Sequence, residues 1–278
     1  MDILEELGGI LKKCGITEWG VCAFSQISGR LLECRAKDRL PAGAQSAVLA
    51  LFPYYVSVEK RNLSRYAVVP DYHITAGKML EKAALECSKV WPDRRFVPFI
   101  DNSPIPEVYA AAKAGLGAVG KQGLLLHPKY GSWVFIGEIV TDLPVPVKEH
   151  EILDCIGCGA CIKACPVSAV KGEGGIDPTV CLSAVSQKKG ELSQEEAERL
   201  RGGGLAWGCD ICQEVCPYNK RPLETPIQEF VQGARPLVQG DTFDKLPDRA
   251  YLWRGKKVME RNLKLFRGEG ISREKENK

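Results

Sequence analysis

Residues 155–166 read CIGCGACIKACP, with cysteines at 155, 158, 161 and 165 and Pro166 directly after the last. This is the C-x2-C-x2-C-x3-C-P spacing with which a chain holds iron–sulfur cubanes. Two-residue loops let the first three thiolates converge on one cluster. The fourth lies a helical turn further on and points at a neighbouring cluster, and the proline turns the chain away. A second run, Cys209, Cys212 and Cys216-Pro217, repeats the pattern without its first cysteine, and Cys181 between the runs supplies the absent ligand. When the last cysteine of each run crosses over, one [4Fe-4S] cluster takes Cys155, Cys158, Cys161 and Cys216. The other takes Cys209, Cys212, Cys165 and Cys181. No cysteine of the two runs is left over, so two clusters and an electron conduit are expected. A zinc ribbon is the competing reading, but its CxxC pairs usually stand further apart.

The rest of the chain is too large to be an appendage of such a module. Its 278 residues are 45% hydrophobic and 26% charged, enough for one large or two modest cores. A net charge of +3 does not by itself argue for nucleic acid. Cys14, Cys22, Cys34 and Cys87 have no disulfide-like spacing, as suits a reducing compartment. The N-terminal stretch reads as an amphipathic helix rather than a signal peptide. No apolar run approaches the roughly 20 residues of a membrane span. A cytoplasmic protein with no membrane partner is expected, and a monomer.

In the first half, a helix over 2–14 precedes a strand over 19–24, and the wholly apolar 46–54 suits a buried strand. Residues 71–91 have helical periodicity, with Ile74, Leu80, Ala84, Leu85 and Val90 near one face. Strands over 94–100 and 133–141 flank a helix over 107–115. Strands alternating with helices predict an α/β domain. Gly115-Leu116-Gly117-Ala118-Val119-Gly120 matches the dinucleotide pattern G-x-G-x-x-G, but a helix precedes it and no acidic ribose partner follows in a strand. These glycines are expected to let backbone approach a cofactor or a neighbouring segment closely.

Several blocks, in order, resemble the epoxyqueuosine reductase family, cobalamin-dependent iron–sulfur enzymes of queuosine biosynthesis in tRNA. They are Arg65-Tyr66-Ala67 with Asp71-Tyr72-His73, Asp101-Asn102-Ser103-Pro104 with Glu107, residues 114–142, and the cysteine array with lone Cys181. The likeness covers about residues 45–220.

The resemblance implies a nitroreductase-like α/β cobalamin and substrate domain over 1–147. A bacterial two-[4Fe-4S] ferredoxin-like domain over 148–222 would follow, then a basic helical extension over 223–278 ending in a disordered tail (270–278). Electrons from an external flavodoxin- or ferredoxin-type donor would pass through both clusters to cobalt. The epoxide of a tRNA wobble nucleoside would become an alkene, with Asp101 as proton donor. A carboxylic acid at a strand end after Phe99-Ile100 is expected to have a raised pKa. On its residues alone, Asp101 also suits a helix cap or a turn before Pro104. Tyr72, His73, Lys121, Ser183 and Asp210 are expected to face the cobalamin or substrate by resemblance. Taken alone, Tyr72 and His73 suit packed side chains and Lys121 a solvated one.

The sequence departs from the family at Ala118, where the family has tryptophan, at Gln122, where it has asparagine, and in a loop that looks shortened around 25–40. Many members grip tRNA with C-terminal helical repeats, and a short member without them is expected here. The basic helix over 250–270 suits either phosphate contacts through Arg254, Lys256, Lys257, Arg261, Lys264 and Arg267, or docking through Tyr251, Leu252, Val258, Leu263 and Phe266. Another corrinoid reductase, dehalogenase-like or corrinoid-activating, and a ferredoxin-type carrier without corrinoid are the competing functions.

Overall fold

The structure is a computed structural model that describes residues 2–172, 175–240, 243, 245–246 and 248–267. Helix α1 (Ile3–Lys13) begins at Asp2, whose carboxylate accepts the Leu4 N–H at 3.1 Å. Glu5 and Glu6 in its first turn and Lys12 and Lys13 in its last complement the helix dipole. There follow β1 (Glu18–Ala23), β2 (Ser46–Pro53), α2 (Arg65–Val68), α3 (Tyr72–Val90), β3 (Phe96–Ile100) and α4 (Glu107–Lys113). A short hairpin of β4 (Ala118–Val119) and β5 (Leu125–Leu126) leads to β6 (Val134–Thr141).

The sheet runs β1-β2-β6-β3, and every pairing in it is antiparallel. The fold is therefore mixed α/β, but its alternating strands and helices do not build a parallel sheet. The continuous apolar run of β2 is explained by burial on both faces. Side chains alternate across a strand, so Val48, Ala50 and Phe52 enter one core while Ala47, Leu49 and Leu51 enter the other. The first core is closed by α1 and α3 through Leu7, Leu11, Leu80 and Ala83. The second is closed by Ile105 and the alanines of α4. Each fully buried aliphatic side chain contributes roughly 1.5–3 kcal/mol. Gly137 lets α3 lie tight on β6, since a Cβ there would meet Leu80 Cδ1 at 2.6 Å.

The buried face of α3 differs from the one expected. Ala76, Gly77, Leu80, Ala83, Ala84 and Cys87 are buried, while Leu85 and Val90 are exposed. The small residues let the helix approach the sheet, and they decide the inward face.

The second half holds short helices: α5 (Ala160–Ala164), α6 (Leu182–Ser186), α7 (Gln194–Gly202), α8 (Ile211–Glu214), α9 (Gln228–Gly233) and α10 (Lys256–Phe266). It is tied to the first half by a third core, where Leu63, Ala67 and Val68 meet Trp207, Tyr251 and Met259. Backbone bonds Ser64 N–H to Trp207 O (2.8 Å) and Thr225 N–H to Tyr55 O (2.8 Å) fix the same seam. In α10, Val258, Met259, Leu263 and Leu265 are buried. Arg261 turns inward and donates to the carbonyls of Lys188 and Gly190, so it docks the helix rather than meeting solvent. Phe266 stays partly exposed. The expected tail over 270–278 lies outside the described residues. Among the described residues, no helix is long and apolar enough to cross a membrane.

Candidate functional site

Packing of α5 against α8 sets the two cysteine runs side by side. Cys216 stands within electrostatic reach of Cys155, Cys158 and Cys161, and these four line one enclosed cavity. Cys212 stands likewise by Cys165, Cys181 and Cys209. Each run thus lends its last cysteine to the other's group. Gly157 (φ +71°) and Gly159 (φ +70°) supply the left-handed turns that bend the first run around its cavity. Among the described residues, no three His, Cys, Asp or Glu side chains converge tightly enough for a single metal ion. Thiolates about 2.3 Å from one zinc would have to do so.

The G-x-G-x-x-G stretch folds as the β4–β5 hairpin, not as a strand-to-helix turn. A Cβ on Gly117 would meet Leu126 O at 2.5 Å, so its glycine serves close approach to a neighbouring segment. The hairpin grips the start of the first cysteine run: Val119 N–H donates to Leu153 O (2.7 Å) and Cys155 N–H to Val119 O (3.1 Å). Lys121 and Gln122 follow and line the cavity of the first cysteine group. Gln122 is 2% exposed, and its Nε2 has no protein partner.

Two clefts meet at this hairpin. One of about 490 Å³ is lined by Lys121, Asp154 and Cys155. The other, of about 660 Å³, shares Val119 and Asp154 with it and extends past Ile105 and Glu107 to Asp101. Arg30 and Leu32 also line it, so the loop around 25–40 reaches this site. Leu32 N–H donates to Pro104 O at 2.8 Å and holds it there. A third cleft, about 540 Å³, lies beyond Asp101 and is lined by Tyr66, Tyr72, His73, Gln187 and Trp253. Asp101 borders both of the larger clefts.

Asp101 sits just after β3 with φ +58°, a left-handed conformation that aspartate tolerates better than most residues. It does not cap α4, whose cap is Pro106. Its side chain, 61% exposed, meets His73 Nε2 at 3.1 Å, while His73 Nδ1 meets Asp71 Oδ1 at 2.7 Å. Asp71 also caps α3 by accepting the His73 N–H. The two carboxylates push the His73 pKa up to about 9, Asp101 contributing most and Asp71 next. Asp101 is held below the usual range by its bond from His73. This corrects the expected raised pKa: the aspartate is not in an apolar pocket but opposite a cation. Burial would raise Asp71, but bonds from the His73 ring and backbone outweigh it. Tyr72 stacks on Phe135 with centroids 4.0 Å apart, which orients the next residue, His73.

A second carboxyl pair underlies the Asp101 loop. Glu138 on β6 is fully buried and accepts a bond from Ser103 Oγ. Glu107 on α4 accepts the Asp101 backbone N–H. Burial, and for Glu107 the nearby Glu138, push both well above the ordinary glutamate range. Glu107 Oε1 and Glu138 Oε2 are buried without partners.

The residues expected to hold a cofactor are not gathered around one cavity. Tyr72 and His73 line the third cleft, and Lys121 lies by the cysteines. The Ser183 carbonyl accepts from Gln187 Nε2 at 3.1 Å, behind that third cleft. Asp210 is buried and bound by Arg61 (2.8 Å) and the Arg65 N–H (2.8 Å). Burial raises its pKa to about 6 against the opposing pull of Arg61. It locks the seam between the halves. Asp71, Glu138, Gln187 and Trp253 were not singled out by their sequence. Only the D-Y-H spacing hinted at Asp71, because the others come from separate elements.

Residues 154–219 match the family described as a 4Fe-4S double cluster binding domain. An epoxyqueuosine reductase from Synechocystis sp. is 34% identical over 205 residues, covering 70% of this chain and 69% of that protein. The chain spans about half to two thirds of the length of the curated relatives it matches. An epoxyqueuosine reductase solved with an epoxyqueuosine-modified tRNA-Tyr stem loop superimposes with a TM-score of 0.78 at 25% identity, over 95% of this chain and 80% of that one. The Bacillus subtilis enzyme, in a structure with its aspartate catalytic loop swung out of the active site, gives 0.79 at 25% identity, over 95% and 80%.

Proposed function

Because the chain belongs to the epoxyqueuosine reductase family, we propose that it reduces epoxyqueuosine to queuosine in tRNA with the help of cobalamin and two [4Fe-4S] clusters. The observation that carries this reading is the line of sites: two four-cysteine groups, a cleft opening beside Cys155, and a second cleft that shares Val119 and Asp154 with it and ends at Asp101, which is paired with His73. We place the cobalamin in a nitroreductase-like domain over 1–147, the clusters in 148–222, and a supporting extension in 223–278. Both clusters fit their residues, since each group offers four thiols. The larger cleft fits a corrinoid: apolar walls at Leu32, Ile105 and Val119 carry a few polar groups, and Glu107 Oε1 offers an unused buried acceptor to a donor such as a corrin amide.

Opening the epoxide to an alkene consumes two electrons and two protons and releases water. The clusters and cobalamin would supply electrons received from an external flavodoxin- or ferredoxin-type donor. The chain's own task is the proton. Near neutral pH, the pair holds one on His73, shared toward Asp101. The alkoxide oxygen beside Asp101 takes one of the two protons from the His73–Asp101 unit, and the second, with which it leaves as water, comes from solvent at the exposed Asp101 side chain. Such a positioned acid contributes about 10²–10⁴-fold. Glu107 and Ser103 hold the backbone that aims Asp101.

The test is anaerobic reconstitution of the clusters, titration with cob(II)alamin followed by EPR, and nucleoside analysis of epoxyqueuosine-containing tRNA after reduction. One base-off cobalamin per chain and conversion of the nucleoside are expected. Intact clusters with no cobalamin bound would overturn the proposal in favour of an electron carrier. Cobalamin bound without conversion would point to a different substrate.

A further inference from the structure

We infer that Trp253, backed by Arg254, is a stacking platform for an unpaired nucleobase next to the reacting nucleoside, with Arg254 beside the adjoining phosphate. This rests on the tRNA reading above. Trp253 is 59% exposed, yet it lines the same cleft as Asp101 and His73.

The ring is not loose. Its indole N–H donates to Gln187 Oε1 at 3.1 Å. Gln187 Nε2 in turn reaches Ser183 O (3.1 Å) and Tyr66 Oη (3.4 Å). Tyr66 Oη accepts from the fully buried Trp207 Nε1 at 2.7 Å. A chain of bonds thus pins the indole edge to the third core. The Arg254 guanidinium lies 3.6 Å from the ring centroid, covering one face and leaving the rest of the ring accessible. An aromatic fixed at its edge and backed by a cation has the build of a single-strand stacking site, where a base pays little ordering cost to add its own π-face.

Charge fits the same occupant. A shallow cleft of about 450 Å³ beside the platform is lined by Arg254, Lys188 and Lys189, with Glu196 bound to Lys188 at 2.8 Å. A sugar–phosphate running from the reaction cleft over Trp253 would pass this basic edge. The partner is therefore an unpaired RNA loop, held by stacking and phosphate contact rather than by base-edge reading.

The test uses the holoenzyme with both clusters and cobalamin, and an anticodon stem-loop RNA carrying the epoxide nucleoside. Trp253→Ala is expected to weaken its binding by about 10-fold or more, from the worth of one stacked base. Trp253→Phe should restore most of it. Arg254→Gln should lower the slope of log affinity against log salt by about 0.7, as for one lost single-strand phosphate contact. Cluster absorbance and cobalamin binding should match wild type in all three, which separates a lost platform from a misfolded chain. If wild type binds and converts the RNA while Trp253→Ala binds it equally well, the platform is refuted and the proposed function stands. If wild type neither binds nor converts the RNA, the proposed function fails and takes the platform with it.

Discussion

His73 is raised to about 9 chiefly by Asp101 and then by Asp71, so it stays charged through neutral pH. Its raised pKa favours the folded state fully below the ordinary histidine value near 6.5, and that contribution is lost as pH rises through about 9. In the proposed reaction the same window bounds proton delivery. The rate of reduction should hold across neutral pH and fall above about 9, and Asp71→Asn should move that limb to lower pH. A limb that stays in place in Asp71→Asn would show that another group supplies the proton. Asp101→Asn should cost about 10²–10⁴-fold in kcat. Gln122 offers a second residue-level test. Gln122 lines the cavity of the first cysteine group, and its buried Nε2 has no protein partner. Hydrogen bonds to cluster sulfurs raise the reduction potential. Gln122→Leu should therefore make that cluster's potential more negative in an EPR-monitored redox titration, and an unchanged potential would remove the amide from the cluster's surroundings.

Among the elements, β6 and α4 carry the carboxyl pair behind the Asp101 loop. A glutamate whose folded pKa is raised holds its proton in the folded chain after the unfolded chain has lost it. Stability then falls as pH rises from about 4.5 toward the raised value, the reverse of an ion-paired acid. Glu138→Gln should flatten the decline of Tm between about pH 5 and 8, and a slope as steep as wild type would mean that Glu138 does not titrate with folding. The four strands of the main sheet were legible from their apolar runs, with ends shifted by one or two residues, while the short β4 and β5 were not. The pairing of the four was not legible either, because period-2 patterning says which faces are buried but nothing about which neighbour a strand meets. The face of α3 was misjudged because size, not only polarity, decides what fits against β6: Leu85 is apolar and stays outside, while Ala83 goes in.

At the scale of the whole molecule, each cysteine group is completed by a residue from the other run, or from α6's leading Cys181. Cys216→Ser should remove the cluster of Cys155, Cys158 and Cys161 and spare the other. Iron would drop from about eight to about four per chain. Loss of the Cys209–Cys212 cluster instead would refute the crossing. The third core ties this module to the sheet domain, and Asp210 with Arg61 seals the seam. What the sequence by itself determined was local: cysteine spacing that limits which thiols can converge, apolar runs that must be buried, and blocks that resemble one family. Only the tertiary structure decided the rest. It alone brought His73 against Asp101, turned that aspartate's pKa downward, set two glutamates behind it and placed Trp253 at the cleft. Through-space electrostatics and burial depend on residues that the chain order keeps far apart.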